Sequence, residues 1–126
     1  MNKYRDKSDF EINKAVAILT GAVPFPLGSK KYRCSSVHGC ESAVIVRSTR
    51  KTGAFDPCNN PTDAMPIIIE NKICMAYDVF AEEHDGGNWV AQPAYGFSDE
   101  RVRSDNYYRA AMEVFLMMKE AENEKV

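Results

Sequence analysis

The stretch Asp56-Pro57-Cys58-Asn59-Asn60-Pro61-Thr62-Asp63-Ala64-Met65-Pro66-Ile67-Ile68-Ile69-Glu70-Asn71 divides the chain, because a polar, proline-punctuated turn opens there into a short apolar helix. Asn59, Asn60, Thr62 and Asp63 are all residues that cap helix starts, and Pro61 suits a first helical position, where its missing N–H would be unpaired anyway. Counted from an Asn60 cap, Pro66 lies deep enough to delete a backbone hydrogen bond, at about 3 kcal/mol in a regular helix. Counted from Asp63 it falls in the first turn, so the spacing favours Asp63 as the cap, with residues 60 to 63 forming a tight turn before it. Such a helix mouth presents free N–H groups and the positive end of the backbone dipole, a combination that holds phosphate or carboxylate.

To the N-terminal side, Ser8-Asp9-Phe10-Glu11 is a capping box, and Ile12, Ala15, Val16 and Leu19 recur at helical spacing with Asn13 and Lys14 facing away. Gly21 and Pro24 stop that helix, predicted over residues 9 to 20. Val23 to Lys31 reads as loop. Tyr32 to Ser36 and Ala43 to Ser48 read as strands joined around His38-Gly39. Lys30, Lys31, Arg33, Arg47, Arg50 and Lys51 place six of the chain's 16 basic residues on that hairpin.

To the C-terminal side, Ala64, Ile67, Ile68 and Asn71 share one face of the second helix, and Ile73 to Phe80 alternates as a strand. Asp85-Gly86-Gly87-Asn88 is a hairpin turn, and Trp89 to Tyr95 is the returning strand, placed at an edge by Pro93, at least beyond Gln92. Phe97 to Arg103 is a polar connection, and Ser104 is the expected cap of a last helix over residues 105 to 122. Tyr107, Ala111, Val114 and Met118 line one stripe of it, and Met112, Phe115, Leu116 and Met117 widen the apolar arc. A helix this apolar is either sandwiched within the fold or also forms a subunit contact. The order helix, two strands, helix, two strands, helix predicts an α+β domain with a mostly antiparallel four-stranded sheet packed by three helices.

A chain of 126 residues, 44% hydrophobic and 27% charged, suits one globular domain. Its longest apolar runs, such as Met65 to Ile69, are too short to cross a bilayer, and Met1 to Asp6 lacks a signal-peptide core, so a soluble protein of the cytoplasm is expected. There Cys34, Cys40, Cys58 and Cys74 remain thiols. A net charge of −2 argues against a dedicated nucleic-acid binder and leaves room for a local basic pocket.

Three segments resemble the phage NinX family, small proteins encoded in the accessory region of temperate phages: Ser8 to Ala17, Cys58 to Asn71, and Arg109 to Met118. The family is similar to domains described as a phage α-β-α sandwich, so the resemblance implies that fold and, in a phage protein, the host cytoplasm as location. It implies no particular reaction. The chain departs from the family at Met65, where a tryptophan is usual, and at Asn106-Tyr107-Tyr108, where the family has a proline-containing turn.

No catalytic motif of known chemistry is present, and no cofactor is expected. The foremost candidate site is an anion or nucleotide pocket at Asn59, Asn60 and Asp63, with Arg33, Arg47 or Arg109 supplying charge and Trp89 or Tyr95 a stacking face. The simpler reading is a well-capped helix whose asparagines satisfy local backbone groups. Arg109 opposes the dipole of the helix it begins, so a carboxylate such as Asp105 or Glu113, or a bound anion, must favour it there. Cys34-x3-His38-x-Cys40 with Cys58 offers four zinc ligands at non-standard spacing. A nucleophilic Cys-His pair, or a carboxylate site from Glu82, Glu83, His84 and Asp85, lacks any visible oxyanion partner. These readings lead to a non-enzymatic phage accessory protein, expected to sequester a small anionic host signal of nucleotide type, a sponge acting in counter-defence. The alternative is a protein-protein adaptor or inhibitor of a host protein, working through the apolar C-terminal helix and an exposed sheet edge, and that helix also allows a homo-oligomer.

Overall fold

The computed structural model describes residues 3–26, 28–49, 51–94 and 100–124, the side chain of residue 124 excepted. Among the described residues, three α-helices and seven strands in two antiparallel sheets make an α+β fold. The strand count exceeds the expected four, and the strands divide between two sheets because Val23–Pro24, Thr52–Phe55 and Val102–Ser104, which the sequence disguises as loop, turn and polar connection, all pair.

Helix α1 spans Asp9–Leu19, with Ser8 Oγ accepting from the Glu11 N–H at 3.2 Å. Its chain reverses through Gly21, at φ 84°, into β1 (Val23–Pro24). Strand β3 (Val44–Arg47) is the spine of the first sheet: β1 and β2 (Arg33–Cys34) share one of its sides in tandem, and β4 (Thr52–Phe55) takes the other. The alternation in β3 puts Val44 and Val46 inward, where they meet Ala17 and Ala22, and Phe55 packs against both this cluster and the main core.

Helix α2 is Pro61–Glu70 and its cap is Asn60, not Asp63: Asn60 Oδ1 accepts from the Thr62 N–H at 3.0 Å, and its carbonyl accepts from Asp63 and Ala64. Asp63 is unavailable as a cap because its buried carboxylate is already committed to Lys51 Nζ, at 2.9 and 3.0 Å, and to the Asp56 N–H, at 2.9 Å. Pro66 therefore does sit inside the helix and leaves the Thr62 carbonyl without its i+4 donor. Ala64, Ile67 and Ile68 form the buried face, as the spacing predicts.

In the second sheet, β6 (Trp89–Pro93) lies between β5 (Ile73–Tyr77) and β7 (Val102–Ser104). It is central from Trp89 to Ala91, against the edge position expected of the whole strand, but beyond Gln92 it pairs with β5 alone, as Pro93 leads one to expect. Pro93 is tolerated because β7 reaches only Ala91, so the proline has one neighbour, Ile73. Gly87 is obligatory in the connecting turn, since a Cβ there would collide with the Ser104 backbone.

Helix α3 (Tyr107–Glu124) runs through the middle, packed on β5, β6 and β7 and on α1 and α2. Its cap is Asn106, whose Oδ1 accepts from the Tyr108 and Arg109 N–H groups at 2.9 and 3.2 Å, while Ser104 Oγ accepts from Asn106 one step earlier. Ala110 and Ala111 are fully buried, Leu116 is 2% exposed and Met118 7%. The apolar arc is consumed by the core, which is the sandwiched arrangement of the two the sequence allows, and it leaves the adaptor reading little apolar surface on this helix.

Candidate functional site

The turn before α2 meets α1 and the start of α3 in a dense polar network. Asn13, expected to face away, is fully buried at its centre: its Nδ2 donates to Asp56 Oδ1 at 2.6 Å and to the Ser42 carbonyl at 2.9 Å, and its Oδ1 accepts from the Cys58 N–H at 3.0 Å. A buried amide is tolerable only when satisfied in this way. The positional clue was present, since Asn13 lies three and four residues before the buried Val16 and Ala17. Asp56 Oδ2 accepts from Ser42 Oγ at 2.8 Å, and Asn59 Nδ2 donates to Asp56 and, at 3.2 Å, to Asp9.

Arg109 closes the network. Its Nε lies 2.6 Å from Glu113 and its Nη1 2.6 Å from Asp9, and Nη2 donates to the Lys7 and Tyr4 carbonyls at 2.7 and 3.0 Å. Burial works against its charge, but the bonds to Glu113 and Asp9 outweigh that and raise its pKa. A carboxylate explanation thus accounts for an arginine in the first turn, with Asp9 from a distant helix in the role the sequence offered to Asp105.

The helix mouth itself is closed. The Cys58 amide is taken by Asn13, the Asn59 and Asn60 amides by the Asp56 carbonyl, and the Thr62, Asp63 and Ala64 amides by Asn60, while Pro61 has none. The expectation of free N–H groups at this mouth is overturned, because the local asparagines and Asp56 consume them. Of the remaining candidates, Arg33 is exposed and donates to the Phe25 carbonyl at 3.3 Å, and Arg47 is exposed at the end of β3. Trp89 is held edge-to-face between Tyr77, at 5.0 Å, and Tyr107, at 4.9 Å. Tyr95 lies outside the described residues. The structure therefore brings Asn59 and Arg109 together around Asp9.

Nor are the four zinc candidates gathered. Cys34, His38 and Cys40 are exposed on the β2–β3 hairpin, whereas Cys58 is fully buried with its thiol pKa pushed up, chiefly by burial. Among the described residues no three His, Cys, Asp or Glu side chains converge as a metal site. At the 83–85 turn, His84 lies 3.5 Å from Glu82 and from Asp85 in an exposed cluster, and Asp85 accepts from the Glu82 N–H at 2.8 Å, the role of a cap.

A cavity that the sequence did not reveal lies one turn away, on the other side of Asp63. It is a cleft of about 640 Å³ between the end of α1, the β3–β4 turn, one side of α2 and the Phe115–Lys119 turn of α3. Leu19, Phe55, Ile67 and Phe115 supply apolar wall, and Lys51 and Lys119 supply cations opposite the carboxylates of Asp63 and Glu70. Lys51 is fixed by Asp63 and by the Ser48 turn, where Ser48 Oγ accepts from its N–H at 3.1 Å. Lys119 is a third exposed, 5.7 Å above the Phe115 ring and 3.4 Å from Glu122. Lys51 belongs to the basic hairpin noted in the sequence, but nothing in sequence spacing couples it to Lys119, which comes from the far end of the chain.

No described helix is long and apolar enough to cross a membrane. Neither the curated proteins nor the solved structures compared with the chain gave a match. The family model described as "Bacteriophage P22, NinX" matches residues 3–119, nearly the whole chain. The chain accordingly belongs to the bacteriophage P22 NinX family.

Proposed function

We propose that this phage accessory protein is a non-enzymatic binding protein that takes up a small anionic molecule of nucleotide type and sequesters it from the host, as a counter-defence sponge. The observation that carries the reading is the cavity of about 640 Å³, inside the range of small-molecule sites, with an aromatic and aliphatic wall beside two lysines. The charged residues named in its wall are Lys51, Lys119, Asp63 and Glu70, which sum to zero. Charge alone does not drive binding there. Phe55, Ile67 and Phe115 bury the apolar body of the ligand, and Lys119, held by the exposed Glu122 and the face of Phe115, turns toward its anionic end. The ligand site thereby moves from the closed helix mouth to the opposite side of Asp63.

Isothermal titration against cyclic mono- and dinucleotides and ADP-ribose-type molecules tests the reading. A saturable heat with one of them, weakened at least tenfold by Lys119→Glu in a protein of unchanged melting temperature, is the expected result. Absence of heat with every member at sub-millimolar protein would remove the proposal.

A further inference from the structure

Strand β5 carries an interaction surface that is independent of the ligand reading. The Asp78 N–H donates to the Asn88 carbonyl at 2.7 Å and the Ala94 N–H to the Lys72 carbonyl at 3.1 Å. With the register Cys74↔Gln92 and Ala76↔Val90 between them, the even-numbered residues of β5 aim their backbone groups at β6. Ile73, Met75 and Tyr77 therefore aim their N–H and C=O groups at the opposite, open side, where no described strand pairs with them. Among the described strands that form sheet edges this is the longest, five residues with no charge and no proline. Proteins usually blunt such an edge.

We propose that β5 pairs antiparallel with β5 of a second copy of this chain, about a two-fold axis through Met75. The parity fits: with Met75 opposite Met75, Ile73 falls opposite Tyr77, and all three are the residues with outward backbone groups, giving three hydrogen-bonded pairs and a continuous sheet of six strands. Charge fits as well. The strand is flanked by Lys72 and Asp78, so the two-fold brings Lys72 of each copy to the same end of the seam as Asp78 of the other. Apolar surface fits third, since Tyr77 is 53% exposed, Val79 68% and Phe80 88%, all at or just beyond the end of this strand, with Ile69 65% exposed on the helix before it. The seam is short, so the dimer is reversible.

Sedimentation of the full chain over a range of concentrations should move from 14.2 kDa toward twice that mass. Met75→Pro removes an outward N–H and no β5–β6 hydrogen-bond donor, but it also trims a side chain that packs on the core, so in protein whose circular dichroism is unchanged it should raise the dissociation constant about tenfold or more. Crosslinking fixes the register without relying on that variant. With Cys34→Ser and Cys40→Ser in both chains, a protein keeping Cys74 is mixed with one carrying Cys74→Ser and Ala76→Cys. Cys74 lies directly opposite position 76 in the proposed seam, so mild oxidation should give a covalent heterodimer. A monomer at every soluble concentration, or a dimer that neither crosslinks in this pair nor responds to Met75→Pro, overturns the proposal.

Discussion

Replacing Arg109 by methionine keeps most of its volume and removes a charge that two carboxylates and several carbonyls share. The Arg109 side chain is 11% exposed, Glu113 5% and Asp9 35%. Breaking a buried pair costs about 3–5 kcal/mol, and the part-exposed Asp9 half counts for less, so the expected loss is about 3 kcal/mol. For a domain of this size that lowers the melting temperature by roughly 10–15 °C. Arg109→Lys should fall between wild type and Arg109→Met, because an ammonium keeps the charge but cannot reach Glu113, Asp9 and the Lys7 carbonyl at once. Urea denaturation followed by circular dichroism reads the loss directly, and a cycle with Asp9→Asn should give a coupling of about 1–3 kcal/mol. If Arg109→Met falls within about 0.5 kcal/mol of wild type, as surface changes do, the network is not what joins α1 to α3.

Asn60→Ala should cost about 1 kcal/mol in the same assay through loss of the α2 cap. In the native protein a thiol reagent should modify Cys34, Cys40 and Cys74 but spare Cys58, which is fully buried and becomes reactive only on unfolding; mass spectrometry of the labelled peptides reads this. The hydrogen bond from Arg103, aided by the Phe80 N–H, holds the Asp78 carboxyl below its usual range. A depressed acid contributes stability that is present above its unfolded pKa of about 3.9 and lost as pH falls through the lower folded value. Asp78→Asn should therefore lower stability at neutral pH and flatten its acid-side decline, seen in melting curves between pH 2 and 7.

The three helices were legible in the sequence because each begins with a capping pattern and carries a stripe at helical spacing: Ser8 before Ile12 and Val16, Asn60 before Ala64 and Ile67, and the run from Tyr107 to Met118. Of the strands of two or three residues, Arg33–Cys34 was legible within Tyr32 to Ser36, but the other two were not. Val23–Pro24 contains a proline and Val102–Ser104 is flanked by charge, so neither has enough alternation to signal pairing, and only their neighbours β3 and β6 define them. The second helix cap was misplaced because sequence reasoning treats Asp63 as free, whereas Lys51 and the Asp56 amide had claimed its carboxylate. Arg109 stood out through its conflict with the helix dipole, and a carboxylate did resolve it. The cavity was out of reach for sequence reasoning, since Leu19, Lys51, Ile67 and Lys119 meet only once three helices and a turn have packed.

Titrating the isotope-labelled protein with the nucleotide panel and following backbone amide resonances tests the ligand site residue by residue. The account predicts saturable shifts clustered on Thr49, Lys51, Thr62, Ile67, Phe115 and Lys119, with little change at Asn59 and Asn60. Shifts centred instead on Asn59, Asn60 and Arg109, or no saturable shift with any member of the panel, would contradict it.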